Sequence, residues 1–104
     1  MANSTWKAVE RAVAAKMGGE RLSNHALGQQ TPDVETSAYS VEVKSRTLPA
    51  WLTNAMAQAR RNASSGKLPL VVLHEGGRRH DNDLVVVRLA DFVEWFGEVA
   101  DDQP

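Results

Sequence analysis

With 104 residues and no cysteine, the chain has room for one hydrophobic core and no means of building a disulfide, a zinc–thiolate centre or a thiol nucleophile. No apolar run approaches the roughly 20 residues of a membrane span, and the opening MANSTWKAVERAV lacks a basic segment followed by an apolar one, so cytosolic residence is the default. The net charge of −1 hides a polarised chain: residues 44–79 carry seven basic side chains and one acid, whereas residues 80–104 carry seven acids and one base. A uniform charge of that size would argue against nucleic acid, whose binding rests on phosphate neutralisation. The clustering leaves two readings of the basic segment, a solvated face or a phosphate-binding one.

A first helix is expected from about Ser4 to Met17, capped by Asn3 or Ser4 and stopped by Gly18-Gly19. At a helical turn of about 100° per residue, Trp6, Val9, Val13 and Met17 share the stripe predicted to be buried, and Glu10 falls inside it. An acid there needs a partner, because an unpaired charge inside is expensive. The polar stretch ERLSNHALGQQTPD follows, with a short strand near Arg21 and Leu22. Strands near Pro32–Thr36 and Ser37–Arg46 then form a hairpin, although no Asn-Gly pair marks its turn.

A second helix is predicted with Pro49 at its first position and with Leu48, Trp51, Leu52, Ala55, Met56 and Ala59 facing the sheet. Two strands, LPLVVLHE and DLVVVRL, are rich enough in Val and Leu to predict cover on both faces. The charged loop GGRRHDN joins them and lacks the Gly-Lys-Ser/Thr ending of a phosphate loop. DFVEWF closes the fold as a short helix with Asp91 and Glu94 at capping-box spacing, before a polar tail from about residue 98 that is expected to fray. The apolar ridge Phe92, Trp95 and Phe96 either covers the sheet or joins two subunits. The order helix, three strands, helix, two strands, helix predicts one α/β domain over residues 1–104, with a mixed central sheet and a right-handed parallel crossover from the third strand to the fourth.

The chemistry concentrates on the hairpin. In YSVEVKS, Tyr39, Val41 and Val43 share one face of the strand, and Ser40, Glu42 and Lys44 the other. If the hairpin sets the start of one strand beside the middle of the next, Asp33 and Glu42 converge, and two close carboxylates cannot both stay ionised cheaply. A divalent cation removes the conflict, and oxygen-only ligands favour Mg²⁺ or Mn²⁺ over zinc. Lys44, further along the same face, could orient the attacking water or stabilise a phosphate in transition, with Glu10 as a third acid. Phosphodiester hydrolysis suits that set; the alternative makes Glu42 and Lys44 ordinary solvent-facing strand residues and Asp33 a turn residue.

Pro32-Asp33 followed by Glu42-Val43-Lys44 resembles the motif of the PD-(D/E)XK nuclease superfamily. The preceding helix with Glu10-Arg11, the small size and the element order are similar to the archaeal-type Holliday junction resolvases and their phage relatives, over about Ser4 to Leu89. The resemblance implies a restriction-endonuclease-like core and a homodimeric, Mg²⁺-dependent endonuclease that nicks symmetric strands of four-way DNA junctions. It implies metal ligation by Asp33, Glu42 and the Val43 carbonyl, Lys44 as the catalytic lysine, Glu10 as the helix-borne acid and Arg11 as a phosphate contact. Arg21, Ser23, Arg46, Arg60, Arg61, Arg78 and Arg79 complete the expected DNA-contacting set. Gln58 is similar to a glutamine that many members carry on the helix after the motif, and Ser23 is the residue offered where the resolvases place an essential serine.

Two other readings keep part of this picture. The same site could act on flaps, nicks or ordinary duplex, or a nuclease-like fold could only bind DNA or another protein. His25, His74 and His80 are not spaced like a zinc pair and read as surface or strand-end residues. Arg60 and Arg61 also suit a helix C-terminus electrostatically, and Trp51 reads as core rather than as a base-stacking platform.

Overall fold

The computed structural model describes residues 5–22 and 31–97. Its elements follow the expected order: α1 (Thr5–Met17), β1 (Glu20–Arg21), β2 (Val34–Glu35), β3 (Ser40–Val41), α2 (Ala50–Asn62), β4 (Val71–Leu73), β5 (Leu84–Val86) and α3 (Leu89–Phe96). The protein is thus mixed α/β. The described residues fall into two compact units, one running to Arg46 and including Phe96 and Gly97, the other Thr47–Trp95. No helix among them is long and apolar enough to cross a membrane.

In the first unit, α1 ends where the two glycines require it. Gly18 takes φ 71°, the left-handed conformation that suits a residue without Cβ. Its N–H donates to the Ala15 carbonyl (3.4 Å), and the Gly19 N–H donates to the Ala14 carbonyl (2.9 Å), the pair of bonds that defines a Schellman ending. The chain then enters β1, which pairs antiparallel with β2 in the register Glu20↔Glu35 and Arg21↔Val34. β2 pairs antiparallel with β3 as Val34↔Val41 and Glu35↔Ser40. Strand period sets Arg21, Val34 and Val41 on one face, where α1 packs and where Val34 is wholly buried; Glu20, Glu35 and Ser40 on the other face are exposed.

The hairpin turn is made by a hydroxyl rather than by glycine. Thr36 Oγ1 accepts from the Ala38 N–H (3.1 Å) and the Tyr39 N–H (2.9 Å), a local side-chain turn of the kind Ser and Thr form. That turn takes up residues 36–39, so β3 is shorter than the predicted Ser37–Arg46 strand.

In the second unit, Pro49 is the N-cap of α2 (φ −69°, ψ 150°) rather than its first helical residue. Met56 is the buried residue of α2, with Leu52, Ala55 and Ala59 half-buried beside it. Trp51 is 60% exposed and Leu48 59% exposed, against the expectation that both face the sheet. Trp51 lies about 140° around the helix from Met56, so one covered face cannot include both. β4 and β5 form a separate antiparallel pair, Val71↔Val86, Val72↔Val85 and Leu73↔Leu84.

Three further expectations change. All strand pairs among the described residues are antiparallel, in a three-stranded and a two-stranded sheet. β3 and β4 fall in different sheets, so neither a mixed central sheet nor a parallel crossover between them forms among the described residues, and β4 pairs with the strand that follows it. The predicted cover on both faces of these strands also fails, since Val72, Leu84 and Val85 are more than half exposed. Finally, α3 begins at Leu89, so Asp91 lies in its first turn instead of at the cap. There it favours the positive helix end and stands 3.7 Å from Arg60 on α2.

Gly19 sits where α1 turns into β1, and a Cβ there would collide with the Glu35 carbonyl and the Thr36 methyl. The Glu35 carbonyl belongs to the backbone and cannot swing aside. Gly19→Ala is expected to lower unfolding free energy by about 1–3 kcal/mol, measured by denaturant titration, while Gly76→Ala, which meets open space, is expected to change it by less than about 1 kcal/mol.

Candidate functional site

The β2–β3 ladder stops after Val34↔Val41, and Pro32 and Asp33 together account for the stop. Narrow hydrogen-bonded pairs alternate along an antiparallel ladder. The Thr36 N–H donates to the Tyr39 carbonyl (2.9 Å), and continuing the register of Val34↔Val41 makes Pro32 and Val43 the partners two positions on. Proline has no N–H to give, so this strand offers the Val43 carbonyl no donor. The Val43 N–H, which a continued ladder would direct to the Pro32 carbonyl, donates to Asp33 Oδ2 at 2.8 Å. Asp33 is anchored from its other side as well, its carbonyl accepting from the Leu22 N–H at 3.0 Å.

These bonds fasten the Asp33 carboxylate to the tripeptide Glu42-Val43-Lys44. The same register sets Asp33 across from Glu42. Exposure alternates from Tyr39 to Lys44, with Glu42 and Lys44 exposed and Val41 and Val43 half-buried, so Glu42 and Lys44 share the solvent face, as their spacing predicts. The Asp33 carboxylate is thus held at the Val43 backbone, between Glu42 and Lys44 in sequence, at the point where the ladder ends.

Glu10 lies elsewhere. It is 6% exposed on the side of α1 that packs on the Arg21–Val34–Val41 face. Its Oε1 accepts from Arg21 Nε at 2.7 Å, and the Arg21 guanidinium lies 5.4 Å from the centre of the Trp6 ring. The charge found inside the apolar stripe therefore has a cation as partner, and Trp6, expected to be buried, is 52% exposed and forms a shelf for that cation. Glu10, Asp33 and Glu42 do not form a three-ligand group among the described residues.

Of the residues expected on DNA, Arg11, Arg46 and Arg61 are exposed. Arg60 stands 3.7 Å from Asp91, Arg78 3.8 Å from Glu75 and Arg79 3.9 Å from Asp81; at such distances and exposures these pairs are weak and leave the arginines able to turn to a phosphate. Arg21 is held by Glu10. Ser23 and His25 lie outside the described residues. Gln58 is exposed on α2.

One group of side chains was not legible in the sequence spacing. His74, His80 and Asp83 bring one ligand atom each within 4.8 Å of one another. The β4–β5 register, carried one pair beyond Leu73↔Leu84, sets His74 across from Asp83, and a single 3₁₀ turn, His80–Asn82, brings His80 alongside. The signal was the hairpin itself rather than any His-to-His interval.

No protein-family model, no curated protein and no solved structure matches the chain.

If Arg21 serves the fold, its loss must show in stability. Arg21→Ala strands a buried carboxylate and is expected to cost about 3 kcal/mol. Lys44→Ala, at an exposed position, should cost less than about 0.5 kcal/mol; chemical unfolding of both variants checks the contrast.

Proposed function

We propose that this chain is a Mg²⁺-dependent endonuclease of the PD-(D/E)XK type, acting as a homodimer that nicks paired strands of branched DNA, four-way junctions above all. The observation that carries the reading is the 2.8 Å bond from the Val43 N–H to Asp33 Oδ2, which ties the aspartate to the Glu-Val-Lys tripeptide at an interrupted ladder. The donor set fits a hard cation: two carboxylates and a carbonyl that lacks a ladder donor, with neither imidazole nor sulfur. Asp33, Glu42 and the Val43 carbonyl would hold Mg²⁺, and Mn²⁺ in its place. Bound there, the ion lowers the pKa of water and offsets charge on the phosphate.

The chain's own residues supply the rest. The Asp33 carboxylate is already oriented by the backbone, so less freedom is lost when a cation and substrate arrive. Lys44 projects from the same face as Glu42, where its ammonium donates to the attacking water or to a non-bridging phosphate oxygen as negative charge develops. Glu10, occupied by Arg21, contributes by holding α1 on the sheet. Exposed arginines at positions 11, 46 and 61 add sequence-independent attraction for the backbone. The exposed apolar residues Trp51, Leu84 and Val85 are of the kind that a second subunit covers, which suits two cuts related by symmetry.

Glu42→Gln and Lys44→Ala are each expected to reduce Mg²⁺-dependent cleavage of an end-labelled four-way junction by at least about a hundredfold, while junction binding in a gel shift persists. Asp33→Asn should do the same, since the amide oxygen can still accept from Val43. Undiminished cutting by the Glu42 variant would refute the assignment. Equal rates on junction and linear duplex would keep the site but change the substrate, and binding without cleavage in Mg²⁺ or Mn²⁺ would reduce the protein to a DNA-binding module.

A further inference from the structure

We infer that His74, His80 and Asp83 form a binding site for a transition-metal ion of the Zn²⁺ class, separate from the Asp33–Glu42 site. Asp83 stands between the two imidazoles: His74 Nδ1 lies 2.7 Å from Oδ1, and His80 Nδ1 lies 3.1 Å from Oδ2. The rings stack with centroids 4.2 Å apart at 23°. The three residues therefore bring one ligand atom each within 4.8 Å of one another, and this follows from backbone geometry: hairpin register places His74 and Asp83, and the 3₁₀ turn places His80.

The distances suit a metal. Zinc bonds of about 2.0–2.1 Å in a tetrahedron set neighbouring ligand atoms about 3.3 Å apart. Each nitrogen already lies within that distance of one Asp83 oxygen, and the three ligand atoms, within 4.8 Å of one another, need to draw together by at most about 1.5 Å, which side-chain rotation supplies. Two imidazoles and one carboxylate favour Zn²⁺, with Co²⁺, Ni²⁺ or Cu²⁺ as competitors, over the all-oxygen preference of Mg²⁺. Three protein ligands leave a fourth position open, and a pocket of about 400 Å³ lined by His74, Asp83, Glu75, Arg78 and Asn82 lies beside it.

An ion there would do mechanical work. Between His74 and Asp83 the chain runs through a turn closed by the Arg78 N–H on the Glu75 carbonyl (3.1 Å), with Gly77 at φ 82°. His80 is the contact that ties this turn back to the strand ends. Coordination would fix the segment that carries Arg78 and Arg79, whether or not the protein cuts DNA.

The site is tested by calorimetric titration of the full chain with Zn²⁺ alone. The wild type is expected to take up one equivalent at this site and to gain thermal stability on doing so, because an ion that binds only the folded state stabilises it. His80→Asn, at a side chain 80% exposed and so without consequence for folding, should weaken uptake by more than about tenfold, since even indirect ligand changes cost that much. Asp83→Asn should do likewise. Glu94→Gln, at an exposed acid outside both sites, should bind as the wild type does. As a measurement free of variants, the imidazole signals of His74 and His80 should shift together as Zn²⁺ is added. Absence of uptake, uptake undiminished by His80→Asn, uptake lost in Glu94→Gln, or imidazole signals unmoved at saturation would each overturn the proposal and leave Asp83 as a hydrogen-bond bridge between two rings.

Discussion

The bond from the Val43 N–H to Asp33 Oδ2 organises the candidate site. Pro32 stands where the β2–β3 ladder would form its next hydrogen-bonded pair with Val43, and its missing N–H leaves the Val43 carbonyl without a donor from that residue. The Val43 N–H, whose acceptor in a continued ladder would be the Pro32 carbonyl, is taken up by the Asp33 carboxylate, and the second bond of the pair is lost as well. An aspartate immediately after the proline is the residue that can reach it. The pairing of Pro with Asp is thus a piece of backbone chemistry: the first residue opens the sheet and the second occupies the opening with negative charge.

The opposite face of the same small sheet is closed by a different interaction. Val34 is fully buried under α1, and Glu10 and Ala14 of that helix are buried. A sheet of two-residue strands offers little apolar area, so the Glu10–Arg21 pair adds a directional clamp, one that stabilises chiefly by the cost of breaking it. The two faces divide the labour, with packing and the ion pair on one side and the exposed Glu42 and Lys44 on the other. Glu10 belongs to the first side, and this is a consequence of the register, which puts Arg21 opposite Val34.

Element order was legible because it depends on local signals: the glycine pair after Met17, the Pro at 49, the Val-rich runs at 71–73 and 84–86. The out-of-place acid at position 10 was legible too. Its partner was not, since Arg21 meets Glu10 only after the chain turns back, and sequence alone cannot choose between a basic partner and a shared cation. The strands are shorter than their pattern suggests because Thr36 builds the hairpin turn with its hydroxyl, a weaker signal than glycine. Trp6, Trp51 and the Val-Leu strands are less buried than their spacing suggests for one reason: periodicity reports which residues could be covered, whereas the size of the opposing surface decides how many are. The face shared by Glu42 and Lys44 was fixed by strand period alone, while the convergence of His74, His80 and Asp83 needed the register and the turn as well.

The most direct test of the central claim is Mn²⁺-induced broadening of backbone amide resonances, read residue by residue in the isolated protein and in Pro32→Ala, which restores the missing donor. The account predicts that in the wild type the amides of Asp33, Glu42, Val43 and Lys44 broaden at low Mn²⁺, and that the alanine variant, still folded, needs several times more ion for the same effect. Amides of 33 and 42–44 that stay sharp while others broaden, or an alanine variant that responds as the wild type does, would contradict it.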